Sequence, residues 1–223
     1  MQRIITDDGS PTLFNSYYKD YYHSTYGAIT ESDHVFIKAG LDGFYQQVRI
    51  TVLEIGFGTG LNALLTCIKA MEKQLQVTYH TIEKYPVDTA ITDSLNYWEF
   101  LPDPCRMHDL YTYIHHSPWF SFIKIHPCFT LHKIQADLSG FVPDFKYDLI
   151  YFDAFSPDKQ PELWTYEIFQ TLYNGLNTGG LLTTYCVKGH VKRTLRNIGF
   201  MIEKLPGPPG KREILKASKI VHV

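Results

Sequence analysis

Residues 52–64 read VLEIGFGTGLNAL. The stretch has three parts. VLEIG is a short apolar run stopped by a glycine, the pattern of a buried strand. GFGTG places glycines at 56, 58 and 60, where the backbone can turn sharply and a ligand can come close. From Leu61 onward, LNALLTCIKAMEKQ sets Leu61, Leu64, Leu65, Ile68 and Met71 on one face of a helix. Strand, glycine turn and helix in that order give a glycine motif its meaning. A phosphate loop would end in Gly-Lys-Ser/Thr, and this one runs into Leu61-Asn62. A dinucleotide loop would read GxGxxG, and this one reads GxGxG. A plain tight turn is the remaining alternative.

Working outward, VTYHTIE (77–83) predicts a second strand, FTLHKIQAD (129–137) a third, YDLIYFDA (147–154) a fourth and GLLTTYC (180–186) a fifth. Helical spacing is expected from about Pro86 to Trp98, through PELWTYEIFQTLYNGL (161–176), and in HVKRTLRNIG (190–199). FMIEKL and KREILKA, around PGPPG, predict a closing pair of strands. Residues 1–48 are Tyr-rich and are expected to form a mostly helical cap followed by a short strand. Residues 101–132, rich in proline and aromatics, are expected to be irregular with one helix near 110–116. Strands alternating with helices imply βαβ units: an α/β fold with a mostly parallel sheet and an antiparallel strand at its end. Such sheets bind ligands beyond the C-terminal ends of their strands.

The glycine spacing resembles the first motif of class I methyltransferases, which use S-adenosyl-L-methionine on a Rossmann-like fold. Gly56, Gly58 and Gly60, followed by Asn62, are then the candidate cofactor loop. Glu83 ends the next strand about 25 residues on, where a carboxylate can accept both ribose hydroxyls. The fold resemblance implies that Asp137, in "ADL", faces the adenine amino group. It also implies that Glu54, inside the first strand, helps position the loop or the sulfonium end.

Composition narrows the class. The chain has 223 residues, 44% of them hydrophobic and 20% charged, enough for one sizeable core and unlike a disordered chain. No apolar run reaches the roughly 20 residues of a membrane span, and MQRIITDDGS lacks the apolar core of a signal peptide. The expectation is a cytoplasmic protein. The four cysteines form no CxxC pair, and the ten histidines show no ligand spacing, so no metal site is expected. Charge is uneven. From Thr184 to the end there are nine Lys or Arg and two Glu, a local +7 that leaves −9 for the remainder. A basic end of this kind suits an anionic partner; a solvated surface is the alternative.

A second motif, YFDAFSPDKQPELW (151–164), ends a buried strand on Asp153 and enters a loop stiffened by Pro157 and Pro161. Together with YHSTYGAITESDHVFIKAGL (22–41), IQADL (134–138) and GHVKRTLRNIGFMIEKLPGPPGKREILKA (189–217), it resembles the methyltransferase domain of the MnmC type, also found as stand-alone MnmD proteins. The resemblance covers most of the chain except 97–132. It implies one domain: a cap over 1–48 and a methyltransferase domain over 49–223, without the FAD-dependent oxidase of bifunctional relatives. It implies methylation of the primary amine of 5-aminomethyl-2-thiouridine at a tRNA wobble position, with S-adenosyl-L-methionine, no metal and no FAD. Other enzymes would supply the aminomethyl precursor.

In that reading Asp153 is the acid beside the acceptor amine and also borders the cofactor. Phe155 is an apolar wall, and Trp164 anchors the following helix in the core. Tyr18, Tyr22 and Tyr26 cover the cofactor or pack in the core, and His23 and Glu31 border it. The candidate RNA contacts are Lys188, His190, Lys192, Arg193, Arg196, Lys211 and Arg212, with Lys211 and Arg212 foremost. A polyamine synthase, a methyltransferase for a small amine or a protein, and a silent RNA-binding scaffold are the competing readings.

Overall fold

The fold was obtained as a computed structural model, which describes residues 1–220. Three antiparallel strands come first: β1 (Gln2–Ile5), β2 (Pro11–Asn15) and β3 (Asp20–Tyr21). The helix α1 (Ala28–Ser32) runs directly into a wider π-helical turn at Asp33–Lys38. The predicted alternation follows: β4 (Arg49–Ile55), α2 (Leu61–Lys73) and β5 (Gln76–Glu83). After a single turn α3 (Thr89–Thr92) come α4 (Pro104–His116), β6 (Phe122–His126), β7 (Phe129–Gln135) and β8 (Tyr147–Phe152). The chain closes with α5 (Tyr166–Gly175), β9 (Leu176–Thr184), α6 (Gly189–Ile198), β10 (Met201–Pro206) and β11 (Glu213–Ser218).

Eight strands form one sheet in the order β10-β11-β9-β8-β4-β5-β7-β6. The five from β9 to β7 are mutually parallel. Both edges are antiparallel: β11 on β9 at one side and β6 on β7 at the other. Both faces of the central strands are covered. Val52, Tyr79 and Tyr151 pack beneath α2 and α4, whereas Leu53, Ile150 and Phe152 pack beneath α5 and α6. The chain leaves β4 through α2 toward β5 on one side, and β8 pairs with β4 on the other. The order therefore reverses at β4, and a crevice opens beyond its C-terminal end.

Three expectations need correction. The N-terminal cap begins as a β-sheet, not helix. The side chain of Asn15 accepts the Tyr17 and Tyr18 backbone N–H groups at 3.0 and 3.3 Å, closing an Asx-type turn between β2 and β3. The 86–98 segment holds one α-helical turn, capped by Asp88, and the start of a 3₁₀ turn at Tyr97–Phe100 in place of a continuous helix. In contrast, α4 is a full helix of 13 residues. Its prolines mislead: Pro104 sits in the first turn, where a missing N–H costs nothing, and the Asp103 carboxylate accepts from the Arg106 N–H at 3.4 Å. Lys133, buried on β7, donates to the Ile114 and His115 carbonyls at 2.9 and 2.7 Å and caps the other end.

Candidate functional site

The glycine loop is held open from several sides. Gly56, Gly58 and Gly60 all take positive φ, at 91°, 49° and 69°. A Cβ on Gly56 would meet the Asp153 carbonyl at 2.8 Å, and one on Gly58 would meet the Tyr22 ring at 2.9 Å. One on Gly60 would stand 2.5 Å from His115 Nε2. The loop apex is also braced from outside. The Thr59 carbonyl accepts both the Tyr111 hydroxyl and the His115 Nε2–H at 2.8 Å. His115 is buried and neutral, its pKa pushed down to about 4 by loss of solvent. Sequence reasoning missed this brace, because α4 lies in the segment that matched no motif.

Glu83 ends β5 and turns back to the loop. Its carboxylate accepts the Gly58 N–H at 3.1 Å and the Tyr85 N–H at 2.9 Å. Burial raises its pKa, and these backbone donors counter the rise. Asp137 caps the short turn after β7 by accepting from Ser139, and it pairs with Lys84 at 2.7 Å. Lys84 first, then Ser139, hold it down to about 2.

Asp153 follows β8, and its N–H is bonded to the Ile55 carbonyl at 3.0 Å. Its carboxylate therefore stands beside the start of the glycine loop. Asn62, in the first turn of α2, donates to Asp153 Oδ2 at 2.8 Å. Enclosure by protein pushes the Asp153 pKa up to about 7; the nearby Glu31 charge adds to the rise, and Asn62 and Lys211 oppose it. The loop beyond is rigid. Trp164, 4% exposed, donates its indole N–H to the Phe155 carbonyl at 2.8 Å and packs on Phe152. It anchors the loop and α5 in the core, as its position predicts. Phe155 stacks on Tyr18 at 4.4 Å and meets Tyr22 edge-on at 5.1 Å.

These parts line one cavity of about 720 Å³. Gly56, Gly58, Asn62, Glu83, Asp137, Asp153 and Phe155 are all on its wall. So are Tyr18, Tyr22, Tyr26, His23 and Glu31 from the N-terminal segment. Glu54 and Gly60 are not on the wall. Gly60 starts α2 behind the loop, and Glu54 is wholly buried beneath it. Of the candidate RNA contacts only Lys211 reaches the cavity. It pairs with Glu31 and lies 4.2 Å from the centre of the Tyr185 ring. Lys188 pairs with Asp158. His190, Arg193, Arg196 and Arg212 are exposed, and Lys192 is half-buried.

The cavity offers a glycine cradle and a carboxylate-capped strand at one end. At the other it offers an acid poised near neutrality beside an aromatic wall. A nucleoside-bearing donor and a cationic amine acceptor would each find complementary groups there.

Comparisons with known proteins bear on the family of the chain. A family model described as S-adenosyl-L-methionine-dependent methyltransferase matches residues 120–220. The chain is 31% identical over 98% of its length to the "tRNA 5-methylaminomethyl-2-thiouridine biosynthesis bifunctional protein MnmC" of Ralstonia nicotianae, covering 34% of that protein. It is 30% identical over 92% of its length to the protein of the same name from Campylobacter hominis, covering 31% of it. The chain thus spans about a third of the curated relatives it matches. Among solved structures, MnmC2 from Aquifex aeolicus superposes with a TM-score of 0.81 at 27% identity, covering all of this chain and 71% of that one. Spermidine synthase from Thermotoga maritima, at 15% identity and a TM-score of 0.54, shares the fold.

Proposed function

The chain carries an MnmC-type, S-adenosyl-L-methionine-dependent methyltransferase domain, and on that premise we propose that it N-methylates the 5-aminomethyl group of 5-aminomethyl-2-thiouridine at the wobble position of tRNA. One observation carries the reading: Asp153, with a pKa near 7, shares a cavity with the glycine loop. The loop fits the cofactor, since Gly56 and Gly58 line the cavity with bare backbone in a positive-φ turn that a side chain would disrupt. Gly56, Gly58 and Glu83 would hold it, with Asp137 toward its base. The cofactor supplies an electrophilic methyl on a sulfonium.

The protein's own residues act on the acceptor. An alkylamine is mostly ammonium at neutral pH and has no lone pair to attack with. Ionised Asp153 attracts that ammonium, accepts its proton and leaves the amine oriented along the line of displacement. Asn62 fixes the carboxylate, and Phe155 keeps water from it. Residues 1–48 act as a cap, supplying Tyr18 and Tyr22 to the cavity wall. A wobble base lies in a single-stranded loop, so moving it into a pocket is cheap. This step calls for neither metal nor FAD; other enzymes provide the aminomethyl group. The site of action is the cytoplasm. No helix among the described residues is long and apolar enough to cross a membrane.

The test is methyl transfer from labelled S-adenosyl-L-methionine to tRNA from cells lacking this protein, followed by nucleoside analysis. Label in 5-methylaminomethyl-2-thiouridine is expected. Label in a free amine or a protein instead would refute the tRNA substrate.

A further inference from the structure

Glu54 is the most deeply buried acid of the site, and the reaction as described makes no use of it. It sits one residue before the end of β4, opposite Thr81 on β5 and Tyr151 on β8. Its side chain has no exposure, and among the described residues neither carboxyl oxygen has a hydrogen-bond partner. The groups that face it are the Thr81 and Tyr79 side chains, Asn62, Tyr151 and, through charge, Asp153. Three of those neighbours are themselves short of partners: Thr81 Oγ1, Tyr79 OH and Asn62 Oδ1.

Burial without a partner decides the state of this cluster. Tyr79 and Thr81 bring one O–H each, and Asn62 has a second N–H beyond the one it gives to Asp153. None of them closes a hydrogen bond to either Glu54 oxygen. A carboxylate at Glu54 would be a bare charge in a space without solvent, next to the charge of Asp153. One proton on Glu54 removes that charge. Burial drives the carboxyl the same way, well above its ordinary range. The groups that act most strongly on it include no cation, and Lys211 pairs with Glu31.

We propose that Glu54 serves methyl transfer as an uncharged acid, a positioning residue that packs against Asn62 and thereby fixes the N–H that Asn62 gives to Asp153. It is not a contact of the cofactor. The inference rests on Asp153 being the acid at the acceptor. Its physical content is that the Asp153 carboxylate is aimed from below, so that one oxygen is held and the other faces the incoming amine. A second carboxylate directly beneath would instead repel the ionised form that the reaction needs.

The experiment compares wild type, Glu54→Gln, Glu54→Ala and Asn62→Ala. Each is assayed for methyl transfer to aminomethyl-containing tRNA across pH, and for cofactor binding by calorimetry. Glutamine has the shape of the neutral acid and keeps a donor. Glu54→Gln should therefore retain activity within about threefold, with an unmoved acid limb. Glu54→Ala should lose roughly 30-fold or more and shift the acid limb upward, as Asn62→Ala does, because Asp153 loses its fixed donor. Cofactor affinity should stay within about threefold in Glu54→Gln and Glu54→Ala. A carbonyl-stretch infrared band from a neutral carboxyl should persist in the wild type near pH 8 and vanish in Glu54→Gln.

A Glu54→Gln variant as impaired as Glu54→Ala, loss of cofactor binding in Glu54→Ala, or an unmoved acid limb would each overturn the inference. A wild-type protein that binds cofactor yet transfers nothing to tRNA would overturn the proposed substrate. The infrared band would still report the proton on Glu54.

Discussion

At the scale of the residue, the site depends on how burial moves protons. Asp153 is held near neutrality by enclosure, so a small change in its surroundings changes its charge. Its pKa in the fold lies above its ordinary value. The neutral form therefore stabilises the fold below the ordinary carboxylate range, and that contribution is lost as pH rises through about 7. Two outcomes follow for Asp153→Asn. Methyl transfer, which in the wild type should rise with pH through about 7, should be abolished at every pH while cofactor binding stays near normal. Thermal unfolding without ligand should show the variant stabilised more near pH 8 than near pH 4. An asparagine variant that bound no cofactor would assign Asp153 to the wrong end of the cavity. The sequence placed an acid here, but the supporting Asn62 bond and the Glu31–Lys211 pair nearby are tertiary facts.

At the scale of the element, the glycine loop illustrates how much of a motif lies outside it. The spacing GxGxG announces a cofactor turn, yet the chain that leans on it comes from α4, from Tyr22 and from Glu83. Gly60 combines a φ of 69° with a His115 ring that leaves no room for a Cβ. Gly60→Ala should cost about 2 kcal/mol or more of stability and weaken cofactor binding as the loop shifts. Chemical denaturation and calorimetry check both; an unchanged midpoint would mean that His115 moves aside freely. The elements that were legible share one property: a long, regular apolar period, as in β4, α2, β8 and α6. Those that were not, β1 to β3 and the start of α4, depend on side-chain turns and on prolines whose meaning changes with position.

At the scale of the whole molecule, charge is segregated along the chain and folded onto one end of the sheet. The +7 of the final segment is carried partly by α6, whose Arg193 and Arg196 are exposed, and partly by the loop before β11. Lys211 turns inward to Glu31, and Lys188 is already matched by Asp158. The free positive surface is thus smaller than the sequence count suggests. Neutralising Lys192, Arg193, Arg196 and Arg212 together should weaken tRNA binding and flatten its dependence on salt by roughly one unit per lost phosphate contact. Methyl transfer at saturating tRNA should persist. A salt slope equal to the wild type would remove this face from the RNA interface.

The sequence by itself determined the parallel core, the glycine cradle and the acid at the end of β8. Local periodicity and backbone freedom are written residue by residue, so these could be read without the fold. The N-terminal β-sheet, the brace from α4, the inward Lys211 and the burial of Glu54 were decided by tertiary structure alone. Each arises where segments far apart in sequence compete for the same space or solvent, and no local pattern records which of them wins. Glu54 shows this most sharply: the motif puts an acid beside the glycines, and only packing decides that it lies under the site, not in it.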